Sequence, residues 1–337
     1  MFAGLGRFIV RRKKSVLIVF IIGILAAGGV GSLAFSKLDS GGYSDLNSDS
    51  AKAYEYLTDK FKVQEPAAIL VIDTGDRSVN DPAVIAEAAA LEAQVKSVAQ
   101  VDRTLSYWTT GGAPSMKAAD DKAAFLFIFS DPDSNDWAAL EKIGREVQAK
   151  FDGKQGNFTV YASGAGVITH AINNKIKEDL FLAEAIAIPL TFILLIFVFG
   201  AMVASAMPLV VGVSAILGSF LIIYILTLFT DVSVFALNLI TGLGLGLGID
   251  YALLIVNRFR EELHAGKSVD ESVVTTVATA GKTVFYSGLT VFVTMASLLL
   301  FPLNFLKSFG YAGVAVISLA VLGALIPLPA LLAILGH

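Results

Sequence analysis

Residues Gly242–Val256 read GLGLGLGIDYALLIV, and Asp250 is the one acid in that apolar run, with Tyr251 beside it. An ionised Asp at the centre of a membrane helix costs about 2.5–3.5 kcal/mol, so such residues face protein or water, and they mark ion paths and proton relays. The chemistry that an Asp–Tyr pair offers is proton transfer. A low dielectric favours the neutral acid, whereas a nearby hydroxyl or a cation from another helix favours the carboxylate. Protonation then changes which helix arrangement is lowest in energy. One charge moved across 100 mV is worth about 2.3 kcal/mol, enough to bias a two-state bundle.

Helical spacing aligns Asn238, Gly242, Gly246 and Asp250 at i, i+4 steps. The reading expects the glycines to admit another helix closely and Asp250 to be buried inside the bundle. A purely structural hydrogen bond by Asp250 is the competing reading. A second signal follows downstream. Thr283, Ser287, Thr290, Thr294 and Ser297 recur at steps of 4, 3, 4 and 3, which places five hydroxyls on one helical face. Such a stripe serves as helix–helix glue, at about 0.6 kcal/mol per contact, or lines a hydrated proton path; both readings stay open. The glycine run is no dinucleotide fingerprint, because Gly244-x-Gly246 is followed by Ile249 where the third glycine belongs.

The elements that position these residues are membrane spans. The chain has 337 residues, 55% hydrophobic and 16% charged, with mean hydropathy +0.71; soluble domains carry about 25% charged residues. The net charge of −4 gives no case for nucleic-acid binding. There are no cysteines, which excludes disulfides, thiol catalysis and cysteine-ligated metals, and the three histidines, His170, His264 and His337, are far apart. No metal site, cofactor or catalytic constellation is expected. A bilayer takes about 20 apolar residues per helix, and six segments qualify, near 16–35, 182–200, 206–229, 234–256, 283–301 and 309–334.

Arg7, Arg11, Arg12, Lys13 and Lys14 precede the first span, so the N-terminus is expected inside. The apolar stretch is longer than the 7–15 residues, roughly, of a signal-peptide core, which favours a retained span. Six crossings put both termini in the cytoplasm, together with a loop at about 257–282 that carries Arg258, Arg260, Lys267 and Lys282. The expected domains are 1–35 (cytoplasmic segment and first span), 36–180 (outside the membrane) and 181–337 (five spans). Within the insert, strands are expected at Ala67–Asp73, Gln100–Leu105, Ala123–Phe129 and Phe158–Ala162. Helices are expected from Pro82 to Ser97, with Asp81 as N-cap, and over Asn135–Phe151. That order, βαββαβ, is a small two-layer sandwich. A polar helix after Gly166, which carries His170, is expected to continue into the second span.

The run GLGLGIDYALLIVNRFREEL, Gly244–Leu263 with its flanks, resembles the fourth span and following loop of MmpL-type transporters of the resistance–nodulation–division superfamily. The runs LLLFPLNFLKSFGYAG (Leu298–Gly313) and PLPALLAILG resemble the same family, as does the layout of one span, a porter domain and five spans. The resemblance implies a helical membrane bundle with an extracytoplasmic α+β porter domain after the first helix, in a bacterial inner membrane. It implies proton-driven export of lipids or other hydrophobic molecules, with membrane lipids, cargo and protons as partners and no enzymatic activity. Asp250 and Tyr251 match the family's relay pair, and Ser287 matches a hydroxyl near it; Gly242, Gly246, Thr290 and Thr294 would pack around that relay. Family members carry two such halves in tandem, and this chain carries one, so it is expected to be a fragment that lacks its C-terminal half or a half-unit completed as a homodimer. The alternatives are a translocation auxiliary of the SecD/SecF kind, against which the RFREE loop argues, and a non-transporting assembly module.

Overall fold

A computed structural model describes residues 1–38, 45, 47–131, 137–200 and 202–336. In chain order its helices are α1 (Phe2–Arg11), α2 (Lys13–Gly31), α3 (Asp49–Phe61), α4 (Pro82–Lys96), α5 (Trp137–Phe151), α6 (Ala165–Phe199) and α7 (Met202–Leu226). They continue as α8 (Ala236–His264), α9 (Val269–Ala278), α10 (Ala280–Ala296), α11 (Asn304–Leu325) and α12 (Pro327–Leu335). The strands are β1 (Ala68–Asp73), β2 (Val101–Ser106), β3 (Ala123–Ser130), β4 (Gly153–Gln155) and β5 (Phe158–Ser163). Two compact units result, one from residues 1–45 with 179–337 and the other from 46–178.

Among the described residues, six helical stretches are long and apolar enough to cross a membrane: Lys13–Ser36, Ala165–Phe197, Ala204–Leu226, Ala236–His264, Val269–Leu300 and Asn304–Leu335. Helix α11 packs against α7, α8 and α10, and α2 packs against α7. Small side chains make that possible. On α11 the buried residues include Gly310, Ala312, Gly313, Ala315, Ala320, Gly323 and Ala324. With no hydrophobic drive between helices in lipid, close backbone approach and dispersion hold a bundle together.

The last span breaks in two. Pro327 lacks the N–H that would continue α11, and the residue before it, Ile326, leaves the helical region at φ −120°, ψ −70°. The expected span at 309–334 is present within Asn304–Leu335, and this break inside it is what the expectation lacked. The loop expected at 257–282 contains α9, opened by a capping box in which the Ser268 hydroxyl accepts from the Glu271 amide while the Glu271 carboxylate accepts from the Ser268 amide. The N-terminal segment is also helical: α1 seats Gly6 against α9, where a Cβ would lie 2.9 Å from Val274 Cα, and buries Ile9 fully.

The second unit is an antiparallel sheet of order β2-β3-β1-β5-β4. Its first four strands and two helices follow the expected βαββαβ order, the split βαβ arrangement. The short strand β4 is additional; Gly153 (φ +98°) and Gly156 (φ +61°) turn it back to pair with β5. Alternate residues of β1 (Leu70, Ile72), β3 (Leu126, Ile128) and β5 (Phe158, Val160) bury against Val84, Ala88, Leu91 and Val95 of α4 and Leu140, Ile143 and Val147 of α5. The expected start of the second helix at Asn135 lies outside the described residues, as does His337. The start of α6 crosses α5 at two glycines: a Cβ on Gly166 would lie 1.8 Å from the Leu140 carbonyl oxygen, and one on Gly144 would lie 2.2 Å from the Gly166 carbonyl carbon. Helix α6 is unbroken from Ala165 to Phe199, with Pro189 inside it.

Candidate functional site

Helix α8 has one packed face and one bare face. Leu237, Ile240, Thr241, Gly244, Gly248, Tyr251, Ala252, Ile255, Val256 and Phe259 are buried, which is the 3- and 4-residue rhythm of a helix against α7 and α11. Asn238, Gly242, Gly246 and Asp250 form the other stripe, and all four are exposed on this chain. Asp250 is the midpoint of α8, 14 residues from either end, or about 21 Å at 1.5 Å per residue.

Three expectations are corrected here. Asp250 is not enclosed by its own chain; it lies on the open stripe and makes no hydrogen bond or ion pair with any described residue. Tyr251 does not face it within this chain. Consecutive helical residues diverge by about 100°, and Tyr251 points inward, 1% exposed, with a hydroxyl that is buried and finds no hydrogen-bond partner among the described residues. No described residue of this chain closes on Gly242 or Gly246, since a Cβ at either would meet nothing within 4 Å. The closely approached glycines are Gly248, where a Cβ would lie 2.5 Å from Gly212 Cα of α7, and Gly244, where it would lie 2.5 Å from Ile216 Cγ1.

The hydroxyl stripe is bare as well. Thr283, Ser287, Thr290, Thr294 and Ser297 are all exposed. Thr290 donates to the Tyr286 carbonyl (3.0 Å), Thr294 to the Thr290 carbonyl (3.0 Å) and Ser297 to the Thr294 carbonyl (2.7 Å). Thr290 and Thr294 therefore satisfy themselves on their own helix and glue no other element of this chain. Lys282, Thr283, Tyr286, Ser287 and Thr290 line an open groove on this side of α10.

The two bare stripes lie on one side of the α8–α10 pair. A Cβ on Gly288 of α10 would lie 2.3 Å from Val321 Cγ2 of α11 and 3.8 Å from Tyr251 Oη, so Tyr251 and Gly288 lie where α8, α10 and α11 come together. Consecutive spans run antiparallel. In an antiparallel pair, the residues that precede the two facing positions rotate away by about 100° in opposite senses and emerge on the same side. Those residues are Asp250 and Ser287. No hydrogen bond joins them. The geometry is thus an acid and a row of hydroxyls on a shared open face, with a buried tyrosine hydroxyl directly behind it.

Below the stripe, the RFREE segment is structural. Glu262 is 5% exposed and accepts from Arg258, while Lys267 reaches it at 2.5 Å from the turn before α9. The 46–178 unit holds a comparable buried acid that the sequence reading passed over. Glu92, 4% exposed, accepts from Thr104 Oγ1 (2.5 Å) and Ser106 Oγ (2.8 Å), with Lys96 at 3.4 Å. Its oxygens are occupied in fastening α4 to β2, and its signal in the sequence was one acid on the apolar face of an alanine-rich helix. Beyond the membrane spans, Arg77 grips Glu87 with two parallel bonds (2.9 and 3.1 Å). That fork, helped by Asn157, holds the Glu87 carboxyl below its ordinary range.

Comparison with known proteins places these features in a family. The pattern of the MMPL family matches residues 43–337. A membrane protein of Streptomyces coelicolor is 35% identical over 100% of this chain and 47% of its own length. The trehalose monomycolate exporter MmpL3 of Mycobacterium tuberculosis is 33% identical over 100% of this chain and 36% of its own length. The mycolic acid-containing lipids exporter MmpL11 of Mycolicibacterium smegmatis is 30% identical over 89% of this chain and 31% of its own length. The chain spans less than half the length of each of these relatives, within their N-terminal half. With six apolar spanning helices, a five-stranded sheet domain after the first of them and that match over most of its length, the chain belongs to the MMPL family.

Proposed function

We propose that this chain is a half-unit of a proton-motive-force-driven exporter of lipids or other hydrophobic molecules, multi-pass in the bacterial inner membrane, with both termini of the described chain cytoplasmic. Asp250 carries the proton. Ser287, on the same open side, and Tyr251, behind it, supply hydroxyls to the relay. Gly242, Gly246, Thr290 and Thr294 form the low floor on which a second half-unit packs. That second half is a second copy of this chain or further sequence of one longer polypeptide.

One observation carries this reading: an exposed acid inside the apolar stretch of a membrane helix, on a stripe with almost no side chains. Lipid contact at that depth costs about 2.5–3.5 kcal/mol for the ionised acid. The face therefore requires protein or water over it, and no described residue of this chain provides that cover. With the acid ionised, a polar group on the covering half is attracted; with it neutral, the two halves are free to shift. Protons driven down their gradient thus alternate two arrangements. The lipid cargo named for the two mycobacterial relatives supports a lipid substrate here, and the 46–178 unit is read as the porter domain that guides it.

The test is Asp250→Asn in proteoliposomes under an imposed pH gradient, with release of a fluorescent lipid as readout. Gradient-driven release should vanish while insertion and elution profile stay unchanged. An Asn variant with full gradient-driven release would sink the relay. The chain lacks cysteine, so Gly246→Cys gives a clean crosslink between copies. Disulfide dimers in native membranes support the homodimer, and their absence at all oxidant levels removes it.

A further inference from the structure

On the other side of the bundle, α2, α7 and α11 enclose an apolar groove of 610 Å³, within the range of roughly 300–1,000 Å³ typical of small-molecule sites. Val19 and Gly23 of α2, Leu221 of α7 and Leu322 of α11 form its walls, Phe8 of α1 stands at its mouth, and Arg12 is the only charged side chain that lines it. None of its lining belongs to α8 or α10, so this site does not rest on the proton-relay reading.

We infer that this groove holds one acyl chain of an anionic membrane phospholipid, with the lipid phosphate on the Arg12 guanidinium. Three observations converge. The first is charge. Neighbouring Lys13 is spoken for: it donates to the Ala333 carbonyl (2.9 Å) and lies 3.8 Å from Asp270. Arg12 is exposed and makes no ion pair or side-chain hydrogen bond with any described residue, and it is flanked by exposed Arg11 and Lys14. A planar guanidinium of this kind matches a phosphate with two parallel hydrogen bonds.

The second is length. Arg12 sits at the junction of α1 and α2, and Gly23 lies 11 residues further along α2, about 16 Å at 1.5 Å per residue. That is close to half of the roughly 30 Å hydrocarbon core, the depth one acyl chain crosses. The third is space. A Cβ on Gly23 would meet nothing within 4 Å, so the groove stays open at the depth where the chain would end. Helix α1 completes the mouth: Ile9 is buried and Gly6 meets Val274, which leaves Phe8 exposed at the groove edge, as an interfacial amphipathic helix does.

The test uses the full chain in phosphatidylcholine nanodiscs doped with a phosphatidylglycerol or a phosphatidylcholine whose acyl chain carries a photoreactive diazirine. Labelling of the peptide that holds residues 15–27 is normalised to that of α6, whose apolar residues also face outward. Phosphatidylglycerol should label α2 about tenfold more than phosphatidylcholine, the ratio that 1.4 kcal/mol gives. Arg12→Gln should erase that preference while some labelling remains. Gly23→Phe should remove α2 labelling by both lipids, and hydrogen exchange of α7 checks that the bundle is intact. Gly23→Leu, a smaller intrusion, should reduce it partially. Equal labelling by the two lipids, a preference that survives Arg12→Gln, or labelling indifferent to Gly23→Phe would each overturn the proposal. Displacement of the preference by free inorganic phosphate would assign Arg12 to a soluble anion and overturn it too.

Discussion

Gly246 and Gly248 are two residues apart on one helix, and the structure gives them opposite duties. Consider Gly248→Ala first. The new Cβ would sit 2.5 Å from Gly212 Cα and 2.9 Å from Gly212 N, whereas carbon atoms rest at about 3.5–4.0 Å. Both clashing atoms are backbone, so no rotamer relieves the contact and α7 must move away from α8 by about 1 Å. A gap of that size forfeits a quarter to a half of each contact's 0.1–0.2 kcal/mol, so some tens of contacts lose about 2 kcal/mol. Alanine returns up to about 1 kcal/mol of helix propensity. The net loss is about 1–2 kcal/mol, within the usual range for overpacking. Gly246→Ala meets no atom within 4 Å, keeps the propensity gain and is neutral or stabilising by up to about 1 kcal/mol. The chain has no cysteine and Ala252 is fully buried on the packed face, so Ala252→Cys reports opening of α8 to a thiol reagent across a denaturant titration. The Gly248→Ala background should open earlier than the Gly246→Ala background by about 1–3 kcal/mol. Equal midpoints, or the reverse order, would refute the assignment of the two stripes.

Two further outcomes concern the 46–178 unit, with Trp108, whose indole donates to the Val79 carbonyl at 2.9 Å, as a fluorescent probe of its unfolding. Gly166→Ala would drive a Cβ to 1.8 Å from the Leu140 carbonyl oxygen and should lower stability by at least about 1–3 kcal/mol; an unchanged urea midpoint would contradict the crossing of α5 and α6. Glu87 titrates below its ordinary value because of Arg77 and Asn157, so its contribution to stability is present above the unfolded-state value near 4.5 and is lost as pH falls through the lower folded-state value. The advantage of wild type over Glu87→Gln should hold from neutral pH down to about 5 and shrink below it. A gap that widens on acidification would show that the fork does not form.

The elements were legible wherever the sequence carries a local rule. Apolar runs of spanning length gave six spans because the bilayer fixes that length. Short continuous apolar runs, AAILVID and AAFLFIF, with Asp81-Pro82 before an alanine-rich run, gave β1, β3 and α4. The missed elements also had local signs. Ser268 and Glu271 spell a capping box for α9, and Pro327 breaks the last span. What diluted them was scale: a ten-residue helix between two spans and a break inside an apolar run both sit under a hydropathy average that does not resolve them. Strand β4 is three residues between Gly153 and Gly156, too short for any alternation to show.

The site was legible in its residues but not in its direction. A glycine at every second position of a helix puts glycines on two stripes about 200° apart: Gly242 and Gly246 on one, Gly244 and Gly248 on the other. Local spacing cannot choose between them. The choice is made by Gly212 and Ile216 of α7 and Val316 of α11, which crowd Gly244 and Gly248 from more than 25 residues away. Once that face is taken, helical geometry leaves Asp250 on the outer stripe and turns Tyr251 inward. The i, i+4 alignment of Asn238, Gly242, Gly246 and Asp250 was therefore read correctly as one face, while its burial was inferred from the cost of a charge in lipid. That cost remains as an energetic demand that the described residues do not meet. The stripe is shallow, with Asn238 and Asp250 at its two ends and the hydroxyls of α10 beside it, and a surface of that kind within the membrane is stable only against another protein surface or water. The demand is what separates the proposed half-transporter from an inert module. An inert helix needs no acid at its midpoint, and replacement of Asp250 by Leu would then only strengthen it in the bilayer; in a working half-unit the same change leaves insertion intact and ends gradient-driven transport.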